Sequence, residues 1–325
     1  MGKLNGKCIC GLATILLGAM FWAAPAAYAA YPDSPIKLIV PWGAGGGMDT
    51  MARILEPKVT EALGQPFNYI YKPGAGSAIG TAEVAKAKPD GYTVLFNLYP
   101  QQEINVRLGV GSYKPEDLIP VCMIATDYPV IAVLKDSNYK SFQDFVDAAK
   151  KKPGSIMIGT TDRSGPVHGA AYLLKEAGVP VNVIPFAAGG PKAVSALLGN
   201  QVDALFSTTL PVISMLGEKG RTLVYAAPER SSLFADVPTT VEVGYPSVQG
   251  FSGRFFFVPK DTPEPVLEKL SNAFKQACDD PEVHERLTAL GVSVQFLDYK
   301  QAAAKIKELE PSVDNISDIL LQGGK

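Results

Sequence analysis

Glycine-rich loops that open helix-like stretches are the parts of this chain best suited to chemistry, and that chemistry is anion binding through the backbone. The first is Pro41-Trp42-Gly43-Ala44-Gly45-Gly46-Gly47-Met48-Asp49-Thr50, placed after the apolar run Ile36–Val40. Glycine lets the main chain approach a ligand closely and take positive φ. A helix start adds amides with no intrahelical acceptor and a partial positive charge. Together they form an anion site that needs no cationic side chain. The loop is not a P-loop, since no Gly-Lys-Ser/Thr follows. Nor is it a dinucleotide fingerprint, since Met48 stands where the third glycine belongs. A second loop, Lys72–Ser77, offers Gly76 and the hydroxyl of Ser77, which is expected to cap the next helix.

Matching features recur downstream. Gly159–His168 supplies the hydroxyls of Thr161 and Ser164, the backbone of Gly165, the guanidinium of Arg163 and the imidazole of His168. Arg163 suits bidentate pairing with a carboxylate. Phe186 and Gly189 belong to another strand-to-helix turn, and Ser207 and Thr208 sit at the end of an apolar strand. Arg254 precedes Phe255-Phe256-Phe257. A buried arginine there needs a partner, either an acidic side chain or a bound carboxylate. Ser164 with His168 would also permit a hydrolase, although the chain has no G-x-S-x-G elbow.

The elements that must carry these loops occur twice. Strand, glycine loop, helix, strand, glycine turn, helix and strand run from Ile36 to Phe96 and again from Ser155 to Phe206. Such order predicts an α/β fold with parallel pairing and right-handed crossovers. Thr126–Leu134 and Gly250–Val258 read as two strands crossing between two lobes, so the expected lobes are 30–127 plus 252–325, and 128–251. Amphipathic helices are expected over Pro265–Asp279, Pro281–Leu290 and Lys300 to about Glu310. Ligands of open α/β sheets lie beyond the carboxyl ends of the strands, so both lobes would aim their loops into one crevice.

Residues 1–29 read as a signal peptide. Lys3 and Lys7 precede the apolar Leu12–Pro25, and Ala27-Tyr28-Ala29 predicts cleavage before Ala30. The full chain carries a net charge of −2, and loss of those two lysines makes it more acidic, which argues against a nucleic-acid partner. Cys122 and Cys278 remain, too far apart in sequence to indicate pairing, and no Cys/His cluster suggests zinc. No metal, cofactor or catalytic residue is expected.

Leu38-Ile39-Val40-Pro41-Trp42-Gly43-Ala44-Gly45-Gly46-Gly47-Met48-Asp49 resembles the V-P-[FW]-x-x-G-G-x-x-D opening of the Bug/TctC solute receptors, periplasmic subunits of tripartite tricarboxylate transporters. Leu63-Gly64-Gln65-Pro66, Lys72-Pro73-Gly74-Ala75-Gly76, Lys88-Pro89-Asp90-Gly91-Tyr92-Thr93, Val167-His168, Ala196–Asp203 and Asp236-Val237-Pro238-Thr239 match in order. The resemblance implies a two-lobed, Venus-flytrap receptor of the periplasmic-binding-protein type II class. It would be a monomer that closes on a small organic carboxylate and delivers it to membrane permease subunits; a ligand sensor serving a signalling partner is the other non-enzymatic reading. It carries ligand contacts to Gly45–Thr50 and Ser164–His168. Ser207 stands where the family often has aspartate and Arg254 where it usually has an aromatic, which implies a more anionic ligand or one with a distal carboxylate.

Overall fold

A computed structural model describes residues 31–161, 165–186 and 190–323. The expected signal segment, and Arg163, Ser164 and Gly189 among the site residues, lie outside the described residues. In chain order the first elements are β1 (Ile36–Val40), α1 (Gly47–Leu63), β2 (Phe67–Tyr71), α2 (Ala78–Ala85), β3 (Thr93–Tyr99), α3 (Gln101–Arg107), β4 (Leu118–Asp127) and β5 (Val130–Leu134). Next come α4 (Phe142–Lys151), β6 (Met157–Thr160), α5 (Pro166–Glu176), β7 (Asn182–Pro185), α6 (Gly190–Leu198), β8 (Ala204–Ser207), α7 (Thr209–Pro211) and β9 (Gly220–Tyr225). The chain ends with β10 (Ser252–Pro259), α8 (Glu264–Asp279), α9 (Pro281–Ala289), β11 (Ser293–Asp298) and α10 (Tyr299–Gly323).

The strands form two mixed sheets, each the centre of one lobe: a six-stranded sheet ordered β11-β4-β10-β3-β1-β2 and a five-stranded sheet ordered β7-β6-β8-β5-β9. β1 lies between parallel β2 and β3, which explains its nearly unbroken apolar sequence. α1 buries Met51, Ala52, Leu55, Val59 and Leu63 at helical spacing and packs on α8. Gly64 ends it in the left-handed conformation, φ 72°, donating its amide to Thr60 O. α4 starts with a capping box in which Ser141 and Asp144 exchange bonds. Phe256 stacks between Phe96 and Phe274, with centroid separations of 4.2 and 3.8 Å, and joins the six-stranded sheet to α8.

Strand register fixes where the two sheets meet. Gly253 of β10 pairs with Tyr99 at the carboxyl end of β3, and Ser252 pairs with Asp127 at the end of β4. Three residues after Asp127, Val130 opens β5 and pairs with Ser207 at the carboxyl end of β8, which runs parallel to β6. The carboxyl ends of β1 and β3 and those of β6 and β8 therefore approach the same junction.

Several sequence expectations need correction. Thr126–Leu134 is not one continuous strand: the run breaks at Tyr128-Pro129, where the chain changes sheets, because proline cannot continue the hydrogen-bond ladder. α10 does not stop near Glu310 but continues through Pro311 to Gly323, since Val313, Ile316, Ile319 and Leu320 supply a buried stripe beyond it. That stripe carries α10 from β4 onto α5, where Ile316 fits against Gly169 so closely that a Cβ on Gly169 would lie 2.4 Å from it. Cys122 and Cys278 are buried free thiols, both held protonated by burial.

The junction contains a buried ion pair. Arg254 Nη2 lies 3.2 Å from Asp127 Oδ2, and its Nη1 donates to Ser252 O at 2.8 Å. Asp127 also accepts from the Thr209 hydroxyl at 2.8 Å and the Thr209 amide at 3.3 Å. Burial pushes the Asp127 carboxyl up, and the Arg254 charge and the Thr209 bonds oppose that rise. Removing one partner strands a buried charge. Arg254→Ala is expected to lower stability by about 3–5 kcal/mol in urea unfolding, and Asp127→Leu combined with Arg254→Met to recover most of that loss.

Candidate functional site

The first glycine loop is shaped by its own aspartate. Gly45, with φ 76°, donates its amide to Asp49 Oδ2 at 2.7 Å. Asp49 Oδ1 accepts from Arg53 Nε at 2.9 Å and from the Tyr71 hydroxyl at 2.8 Å. Burial disfavours the Asp49 carboxylate, but the Gly45 amide, Tyr71 and Arg53 outweigh it and hold the group below the usual aspartate range. Asp49 was expected to meet ligand; its oxygens here bind Gly45 of its own loop, Arg53 and Tyr71. Gly46 donates to Gly43 O at 3.2 Å, and Thr50 donates to Gly46 O at 2.9 Å, the first full turn of α1. The amides of Gly47, Met48 and Asp49 precede that turn and have no acceptor within the helix. Gly45 and Gly46 are exposed, Met48 is buried in the core, and Thr50 turns its hydroxyl back to Gly46 O.

A buried polar network joins this loop to the second one. Trp42 Nε1 donates to Asn97 Oδ1 at 3.1 Å. Asn97 Nδ2 donates to Ser77 Oγ at 3.1 Å and to Thr81 Oγ1 at 3.0 Å. Asn105 Nδ2 holds Gly76 O at 2.6 Å. Ser77 was expected to cap α2, yet it makes no side-chain capping bond, because its hydroxyl accepts from Asn97 and its backbone is left-handed. Gly74, Ala75, Gly76 and Ser77 all have positive φ, at 133°, 48°, 58° and 80°. For Ala75 and Ser77 that conformation costs about 1–2 kcal/mol each, and the two asparagines hold it in place.

At the junction end of the second sheet, His168 is buried in α5 with Nδ1 2.7 Å from Thr160 Oγ1, its ring edge-on to Tyr172. Gly165 caps α5 and accepts from the Gly169 amide at 3.1 Å. Thr161 is half-buried beyond β6. Phe186 donates its amide to Thr160 O at 2.9 Å and lays its ring against Gly159. Ser207 is fully buried, its hydroxyl without a partner among the described residues, and Thr208 precedes α7. Arg254, whose partner the sequence left open between an acidic side chain and a ligand carboxylate, pairs with Asp127, and its Nε has no acceptor among the described residues.

Segment 208–210 brings the two sets together. Leu210 lies against Gly47 at the start of α1, where a Cβ would sit 2.6 Å from Leu210 Cδ2. The Thr209 hydroxyl, which bonds Asp127, also lies beside Gly291 O, between α9 and β11, so its one proton is shared between two acceptors. Asn97, Asn105, Asp127 and Leu210 were missed from the sequence, while Thr209, read with Ser207 and Thr208 as a hydrogen-bonding group at the end of its strand, bonds Asp127. An asparagine in the apolar run Thr93–Tyr99 was a readable signal; the others have partners distant in sequence.

Comparison with known proteins identifies the family of the chain. Residues 51–316 match the model of the tripartite tricarboxylate transporter family receptor, TctC. The chain is 32% identical to the UPF0065 protein in the TAR-I ttuE-ttuC' intergenic region of Agrobacterium vitis, covering 100% of this chain and 94% of that one. It is 33% identical to protein BugT of Bordetella pertussis over 83% of this chain and 84% of the relative. Among solved structures it resembles periplasmic binding protein BugD, with TM-score 0.76, 28% identity and coverage of 90% and 99%. MatC from Rhodopseudomonas palustris with bound malate is similarly related, with TM-score 0.76, 27% identity and coverage of 89% and 100%. The chain thus belongs to the tripartite tricarboxylate transporter receptor family, a family of solute-binding receptors and not of enzymes.

Proposed function

We propose that this receptor binds a small organic carboxylate in a cleft between its lobes, in the periplasm, and delivers it as a monomer to the permease subunits of a tripartite transporter. The observation that carries the reading is the meeting of glycine loops and helix starts from both sheets at one junction. Backbone amides at the start of α1 and at the 74–77 turn are the anion-binding groups of the first lobe. Thr161, Gly165, His168, Phe186, Ser207 and Thr208 are their counterparts in the second, together with Arg163, Ser164 and Gly189. The lobes divide at 127/128 and 251/252, which makes those crossings the hinge. The malate held by the MatC relative supports a dicarboxylate as ligand. Arg254 does not argue for extra ligand charge, because Asp127 already balances it.

Calorimetry of the ligand-stripped protein against a panel of mono-, di- and tricarboxylates is the direct test. Saturable binding of at least one acid is expected, and silence across the panel with folded protein would overturn the proposal. Thr209→Val should raise the Kd of that acid about tenfold, equivalent to about 1.4 kcal/mol, by removing a hydroxyl that joins the lobes only when they meet. An unchanged Kd would remove Thr209 from closure. For Asp49, whose folded-state pKa is depressed, the stability it contributes is present above the ordinary aspartate value near ~4 and is lost as pH falls through the folded value. Asp49→Asn should therefore flatten the acid limb of the stability curve below about pH 4, read by thermal unfolding.

A further inference from the structure

Leu210 belongs to the second lobe but touches the first. Its Cδ2 lies so close to the opening residue of α1 that a Cβ on Gly47 would sit 2.6 Å away. The residues on either side of it are pinned. Thr209 is buried and bonds Asp127 through its hydroxyl at 2.8 Å and its amide at 3.3 Å. Pro211 is wedged on the first turn of α6, where a Cβ on Gly190 would lie 2.4 Å from its Cγ. A proline ring has little freedom to give way. The Leu210 carbonyl accepts from Ser214 Oγ at 2.7 Å. The main chain is thus held before, at and after Leu210, and its half-buried side chain stands fixed at the start of α1.

We propose that Leu210 is a specificity-determining residue: it selects short acids with a plain methylene next to the bound carboxylate over their 2-hydroxy and 2-amino counterparts. The inference rests on the carboxylate-binding reading above, in which the Gly47, Met48 and Asp49 amides hold one end of the ligand. The carbon next to that carboxylate then comes beside the Leu210 methyl groups. A methylene there is buried favourably. A hydroxyl or ammonium in its place loses water and gains no hydrogen bond from leucine. An apolar wall of this kind rejects an added hydroxyl by about a hundredfold at most, which bounds the effect to be looked for.

The test is calorimetry with matched acids: butyrate against 2-hydroxybutyrate and 2-aminobutyrate, and succinate against tartrate, which has no plain end. Butyrate or succinate should bind saturably, and its substituted counterpart about tenfold more weakly. Leu210→Ala, which gives water room at the helix start, should bring that ratio within about threefold. Leu210→Met, apolar and of similar size, should preserve it. A melting scan checks that each variant folds, and a general loss of affinity leaves the ratio between two acids unmoved. Equal affinity for the substituted acid in the unaltered protein, or a ratio unchanged by Leu210→Ala, would overturn the proposal. So would silence of both butyrate and succinate. If another carboxylate then binds, only the role of Leu210 falls; if none does, the carboxylate reading falls with it.

Discussion

Asp127 is the residue on which the arrangement of the lobes depends. It ends a strand of the six-stranded sheet, precedes the passage into the five-stranded one, and is buried. A carboxylate in that position must be answered by donors from whatever surrounds it. Arg254 answers from β10, on the return side of the chain, and Thr209 answers from the segment after β8. Both passages and the second-lobe segment nearest α1 are thus tied to one charged group. Arg254 and Asp127 belong to a single unit whose net charge is close to zero.

The glycine loops are rigid for a related reason. Their conformations are unfavourable or undetermined in isolation, and side chains from other elements fix them. Asp49 reaches back to Gly45 while it is itself held by Arg53 and Tyr71. Asn97 binds Trp42, Ser77 and Thr81 together, and Asn105 clamps Gly76. The side chains spend their hydrogen bonds on one another and on the loop backbone, and the Gly47, Met48 and Asp49 amides at the start of α1 have no acceptor within the helix.

Much of this was legible in the sequence because it is local. A glycine run after an apolar strand and before an amphipathic stretch has few structural meanings, and the duplicated order of elements announced two α/β units. What escaped is what distance in the chain conceals. Asn97 was visible as a polar residue in a core strand, but its partners lie 16 to 55 residues away. The partner of Arg254 lies 127 residues away, so its sequence surroundings left acid and ligand equally open. Proline misled twice in opposite directions: Pro129 breaks an apolar run that looked continuous, whereas Pro311 leaves a helix intact because the turns after it are held by packing.

The contact between Ile316 and Gly169 places the far end of the chain over a helix of the inserted lobe. That helix carries His168 in its first turn, and Ile316 covers it at Gly169. The face of α5 at Gly169 is therefore covered by a segment made 147 positions after it. Folding of the middle of the protein is coupled to the arrival of α10. Proteolytic trimming near residue 316 would loosen the middle lobe, while the six-stranded sheet beside the cut kept its strands.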